Sequence, residues 1–169
     1  MKIENNVLKH YLKNVYFITG TAYAGKSTTV KMLAERYDMV CCGENYHMAV
    51  SEIVATPETH PDLCYNRSLT DWREFVTRTP EEYERWMYAV GREAAEFEVA
   101  ELIAISQDKL FIVYTHIPVD VLKEISDYHH VAVMLSPQSM SVERFFDRSD
   151  PDKQFLLSVI DSCDDPEAV

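Results

Sequence analysis

Four short apolar runs punctuate the chain: VYFIT at 15–19, MVCC at 39–42, LFIVYT at 110–115 and VAVML at 131–135. Continuous apolarity, rather than alternation with polar positions, predicts strands buried on both faces in a parallel sheet. Between and after these runs the period lengthens. Apolar residues at 30, 33, 34 and 37 share one face of a helix over 27–37, and helical patterns also cover 81–106, 118–126 and 139–160. Thr79-Pro80-Glu81-Glu82 gives the longest of these a start, with an N-cap, a proline at the first helical position and carboxylates in the first turn. Alternating strands and helices predict one α/β domain over residues 1–169, a three-layer, doubly wound parallel sheet with right-handed crossovers.

Two features depart from that rhythm. The segment 44–108 is far longer than an ordinary crossover, and its polar half carries Tyr46, His47, Asn66, Arg67, Trp72, Arg73 and Arg78, residue types that contact ligands. It is a candidate substrate-binding insertion. At the other end, Asp165-Pro166 reads as a helix start three residues before the last residue, so either this end frays or the chain is truncated before a final helix and strand.

The loop after the first run changes the picture most. Residues 20–28 read GTAYAGKST and match G-x-x-x-x-G-K-[ST] at Gly20, Gly25, Lys26 and Ser27. The chain has only four glycines, and two stand where this pattern requires them. The chemistry explains the residue types. Backbone N–H groups can converge on phosphate oxygens only where glycine permits positive φ, and the following helix adds its own unpaired N–H groups and the positive end of its dipole. Gly20, Thr21, Ala22, Tyr23, Ala24, Gly25, Lys26, Ser27 and Thr28 are therefore the expected nucleotide-phosphate contacts, with Lys26 on the β- and γ-phosphates and Ser27 on Mg²⁺.

Composition narrows the partner. A net charge of −12 argues against a nucleic-acid polymer, whose binding rests on phosphate neutralisation by Lys and Arg, but not against a small phosphate-bearing ligand met by local positive charge. No apolar run approaches the length of a membrane span, and Met1 to Asn6 lacks a signal-peptide core, so the expectation is a soluble cytoplasmic protein with no membrane partner. Cys41, Cys42, Cys64 and Cys163 have no metal-ligand spacing and read as buried, reduced thiols. The sequence does not determine the oligomeric state.

With the loop at 15–37, the order of strands and the long insertion in place, the chain resembles the P-loop kinases of nucleoside monophosphates and small metabolites. The resemblance implies a nucleotide-kinase-like P-loop NTPase fold, ATP and Mg²⁺ as cofactors, transfer of the γ-phosphoryl group to a small acceptor, and a lid over 137–153. Arg144 and Arg148 lie where lid arginines would be. Four residues apart on a helix, they would face one way, or else form a solvated face with Glu143, Asp147 and Asp150. Tyr23 stands where such kinases often have a third glycine. The Asp that commonly ends their third strand is absent, the stretch here being Tyr114-Thr115-His116-Ile117-Pro118. Glu44, after the second run, resembles the acidic residue that acts as base or organises Mg²⁺ in related kinases, and otherwise reads as an exposed turn carboxylate.

The remaining candidates are His116, catalytic or structural at a strand's carboxyl end; His129-His130, surface residues at a strand's amino end; and Arg92, salt-bridged among Glu93, Glu96 and Glu98. The sequence thus predicts a small-molecule kinase with Lys26, Glu44, Arg144 and Arg148 as catalytic residues. The alternative is a nucleotide-binding module without turnover, favoured by the missing third-strand carboxylate. A GTPase switch is disfavoured, since no D-x-x-G follows a strand and no N-K-x-D is present.

Overall fold

The computed structural model describes residues 3–43, 45–106, 108–147 and 149–169. In chain order the elements are α1 (Asn5–Tyr11), β1 (Val15–Gly20), α2 (Lys26–Tyr37), β2 (Val40–Cys42), α3 (Met48–Val54), α4 (Pro61–Ser68), α5 (Arg73–Val76) and α6 (Pro80–Ile105). They continue with β3 (Phe111–Tyr114), α7 (Val119–Ile125), a 3₁₀ turn at Tyr128–His130, β4 (Val131–Met134), α8 (Gln138–Arg144) and α9 (Pro151–Asp161). The four strands form an all-parallel sheet in the order β2-β3-β1-β4. The α/β class and parallel sheet follow the expectation from the apolar runs.

Helices cover both faces. Val15, Phe17, Phe111 and Val113 point to the side packed by Leu12, Ala95 and Leu102 and by Leu122 and Ile125 of α7. Ile18 and Ile112 point the other way, onto Val30 and Ala34 of α2. Because successive strand residues face opposite sides, a run apolar at every position can fill two cores at once. This account holds for β1 and β3, the central strands. It fails for β4, an edge strand paired only with β1, where Val133 is 51% and the following Leu135 76% exposed. β2 is the other edge, so Cys41 is exposed rather than buried, whereas Cys42 faces the core and burial pushes its thiol up to about 11.

The insertion after β2 folds into three short helices laid against α6. Glu93 of α6 accepts the N–H groups of Leu63 at 2.8 Å and Asp62 at 3.4 Å, capping α4, while the Trp86 indole donates to the Asp62 carbonyl at 3.0 Å. At the start of α6, the Thr79 hydroxyl accepts from Glu82 N–H and the Glu82 carboxylate accepts from Thr79 N–H, a reciprocal cap satisfying two otherwise orphaned donors. The long helix expected over 139–160 is two helices. Pro151 cannot donate to a continuing helix and begins α9 at its first position, with the Asp150 carboxylate accepting from Asp152 N–H. Residues 165–168 form a turn. Among the described residues no helix is long and apolar enough to cross a membrane.

Candidate functional site

The loop between β1 and α2 lies at the carboxyl ends of the parallel strands, where ligands bind in open α/β sheets. Its geometry requires glycine twice. Gly20 has φ +127°, and a Cβ there would lie 1.9 Å from the Met134 carbonyl oxygen of β4. Gly25 has φ +82° and is the N-cap of α2, with open space where a Cβ would point. Thr21 N–H donates to the Met134 carbonyl, and Thr29 N–H is the first in the helix to reach back, to Gly25. Between them the N–H groups of Ala22, Ala24, Gly25, Ser27 and Thr28 have no acceptor among the described residues. A run of unsatisfied donors beside a helix N-terminus is a site for an anion.

Lys26 is only 5% exposed and folds back over this loop, its ammonium donating to the Gly20 and Thr21 carbonyls at 2.9 and 2.6 Å. It also lies 5.0 Å from the centroid of the Tyr114 ring, so the loop lysine touches the end of β3. Ser27 is exposed on the first turn of α2, free for a hydrated cation to approach.

The loop is laced to the segment after β4. Thr21 and Ser136 share a hydroxyl contact at 3.0 Å, Ser136 N–H donates to the Thr21 hydroxyl at 2.8 Å, and the Ser136 hydroxyl donates to the Ala22 carbonyl. Tyr23, at φ +63°, projects out of the loop and donates its hydroxyl to the Arg144 carbonyl at 2.6 Å. The family resemblance implies an arginine lid here, and the structure brings Arg144 to the loop through its backbone while its side chain is exposed. α8 ends at Arg144. Arg148 and Glu44, both expected in the site, lie outside the described residues.

At the end of β3 the sequence reading missed a residue. Thr115, fully buried where a carboxylate was expected, donates its hydroxyl to Glu98 of α6 at 2.7 Å and accepts Ile117 N–H at 2.9 Å. Tyr46, from the turn after β2, donates to the same Glu98 oxygen at 3.2 Å. Glu98 is 2% exposed, a buried carboxyl brought to the end of β3 by a neighbouring helix, and burial together with the Glu98 charge pushes the Tyr46 phenol far above its ordinary range. A signal for it existed. Gly91, Ala94, Ala95, Glu98 and Leu102 follow helical spacing on the inward face of α6, where a glutamate needs a partner.

Arg92 makes no pair with its neighbouring glutamates. It pairs with Asp120 of α7, Glu93 caps α4, and Glu96 lies 3.5 Å from His60. The helix carries these groups on different faces, so adjacency in sequence did not become adjacency in space. His116 is exposed beside Tyr114, its Nε2 3.4 Å from the phenol oxygen, and His130, at the amino end of β4, packs against Tyr16 with its ring tilted 52°.

A cavity of about 650 Å³ opens between the insertion and the segment after β4, walled by Phe75, Tyr83, Phe145, Phe146 and Ile160. Among the described residues Arg78 is the only charged side chain lining it. Its guanidinium lies 4.0, 5.3 and 5.4 Å from the ring centroids of Tyr65, Trp86 and Phe75, and its Nη1 is buried without a hydrogen-bond partner among the described residues. The volume suits a small metabolite.

Comparison with protein families, curated proteins and solved structures finds no match to this chain.

Proposed function

We propose that this protein is a phosphotransferase with a P-loop, nucleotide-kinase-like fold, binding Mg·ATP at residues 20–28 and passing the γ-phosphoryl group to a small acceptor. The observation that carries the reading is the loop itself: two glycines at positive φ, a run of N–H groups without acceptors, and a buried lysine, all at the carboxyl ends of parallel strands. The residues fit the group. Unsatisfied donors at Ala22, Ala24, Gly25, Ser27 and Thr28 would cradle phosphate oxygens, Lys26 would exchange its two carbonyl partners for the β- and γ-phosphates, and the Ser27 hydroxyl would take a magnesium position. Bound Mg²⁺ neutralises charge that develops on the transferring group.

The chain's own part is positioning and charge. In this reading Arg144 and Arg148 add positive charge from the lid, Glu44 serves as base toward the acceptor, and Glu98 fixes the end of β3 through Thr115. The cavity walled by Phe75 and Phe145 seats the acceptor.

The module without turnover is supported by one observation, the lysine already satisfied by its own loop. Two measurements separate the readings. Calorimetry with Mg·ATP, native against Lys26→Ala, tests the site: equal affinities would remove it. ATP consumption with a panel of nucleosides, nucleotides and hydroxylated metabolites tests transfer, and Mg·ATP binding with no consumption for any acceptor would favour the module.

A further inference from the structure

Tyr23 occupies the middle of the phosphate loop with φ +63°, a conformation that is strained for a bulky side chain and unstrained for glycine. Strain of this kind persists where surrounding contacts over-determine it. Here two contacts lead to the segment after β4. The Tyr23 hydroxyl donates to the carbonyl of Arg144, the last residue of α8, at 2.6 Å. The final carbonyls of a helix have no partner within it, and among the described residues Asp147 N–H is the one other donor to this carbonyl, at 3.3 Å. On the ring face, the Lys153 ammonium of α9 lies 5.5 Å from the Tyr23 centroid and 4.8 Å from that of Phe145. One cation is thus shared between the loop's aromatic ring and the aromatic wall of the cavity.

The geometry points to Tyr23 as a positioning residue: its hydroxyl holds the end of α8, and with it Arg144 and the Phe145 wall, against the phosphate loop. This assignment rests on the phosphotransferase reading for its consequence, not for its contact. Left-handed backbone turns the Tyr23 side chain away from the loop's interior, so the residue reaches the following segment without filling the phosphate cradle. A glycine would serve the cradle equally and give α8 no anchor. Thr21 and Ala22 reach Met134 and Ser136, at the start of this segment, whereas among the described contacts of the three it is Tyr23 that fastens its far end.

Two readouts test it on the full chain. The Arg144 carbonyl belongs to the bond that trypsin cuts after Arg144, so cleavage there reports whether the end of α8 is held. Tyr23→Phe keeps the ring and the Lys153 contact and removes only the hydroxyl; cleavage after Arg144 is expected to quicken at least about fivefold while cleavage after Arg73 stays unchanged. Tyr23→Gly, which relieves the positive φ, should quicken it at least as much without lowering the melting temperature. In basal ATP hydrolysis without acceptor, Tyr23→Phe should lower kcat about fivefold or more with KM for ATP within twofold. Unchanged cleavage after Arg144 in both variants overturns the assignment. A rise in KM with kcat intact also overturns it, making Tyr23 a nucleotide contact. Quickened cleavage in a protein that binds no Mg·ATP would uphold the anchor and sink the phosphotransferase reading instead.

Discussion

Thr115 at the end of β3 donates its hydroxyl to the Glu98 carboxylate on α6, 17 positions earlier in the chain, across 2.7 Å in the buried interior. The same hydroxyl accepts from Ile117 N–H, and Tyr46 completes the cluster from the turn after β2. Three connections of the fold therefore meet at one carboxylate. Thr115→Val strips two hydrogen bonds and is expected to cost about 2–3 kcal/mol, whereas Tyr46→Phe, which removes one longer bond, should cost about 1 kcal/mol. Urea denaturation of both single variants and the double variant measures this. Additive losses would mean that the two hydroxyls do not share Glu98.

Lys26→Ala should weaken Mg·ATP binding or turnover at least tenfold, about 1.4 kcal/mol, because the ammonium that now bonds the Gly20 and Thr21 carbonyls is then missing from the phosphates. Ser27→Ala should chiefly flatten the Mg²⁺ dependence of binding. A magnesium titration identical to that of the native protein would remove Ser27 from the site.

The two loop glycines should respond differently to alanine. At Gly20 the new Cβ meets the Met134 carbonyl at 1.9 Å with φ +127°, so β1 and β4 must separate locally, at a cost above about 3 kcal/mol and roughly 10 °C in Tm. At Gly25 nothing lies within 4 Å, and the cost is the left-handed backbone alone, about 1 kcal/mol and roughly 3 °C. Scanning calorimetry giving equal shifts would mean that β4 yields without resistance.

His47 supplies a pH dependence. Burial lowers its pKa below the ordinary imidazole range, only partly offset by Glu101, and its Nδ1 is buried without a hydrogen-bond partner among the described residues. The unfolded chain therefore takes up a proton near pH 6.5 that the folded chain resists, so this contribution is fully present above about 6.5 and lost as pH falls below it. The Tm is expected to drop between about pH 7.5 and about 5.5, and His47→Gln to flatten the slope. A variant with the native slope would assign the pH dependence to other groups.

What could be read in advance followed local rules. The strand, loop and helix at 15–37 were legible because a buried run, two glycines and a helical period each constrain a few consecutive residues. The Thr79 cap was legible for the same reason. β4 was misread because VAVM is as apolar as VYFI, and only its place at the sheet's edge, decided by distant pairing with β1, leaves Val133 exposed. Glu98 was overlooked because its neighbours in sequence, Glu93 and Glu96, lie on other faces of the same helix, and a glutamate surrounded by charge reads as surface. The apolar spacing of Ala94, Ala95 and Leu102 pointed inward all the same. α1 went unpredicted: seven residues with one polar asparagine pair at the start give too little periodicity to separate from a tail.

The loop's attachment to β4 carries a consequence for the order in which the molecule opens. Gly20 pairs with Met134, Thr21 bonds the Met134 carbonyl, and Ser136 secures the next turn, yet β4 pairs with β1 alone and, among the described residues, has no strand on its outer side. Edge strands exchange their amide hydrogens through small, sub-global openings long before the central strands do. Each such opening of β4 takes the wall of the phosphate loop with it. The lifetime of the loop's present geometry is thus set by the least protected strand of the sheet, and warming should undo its contacts with Met134 and Ser136 at temperatures where β1 and β3 are still fully protected.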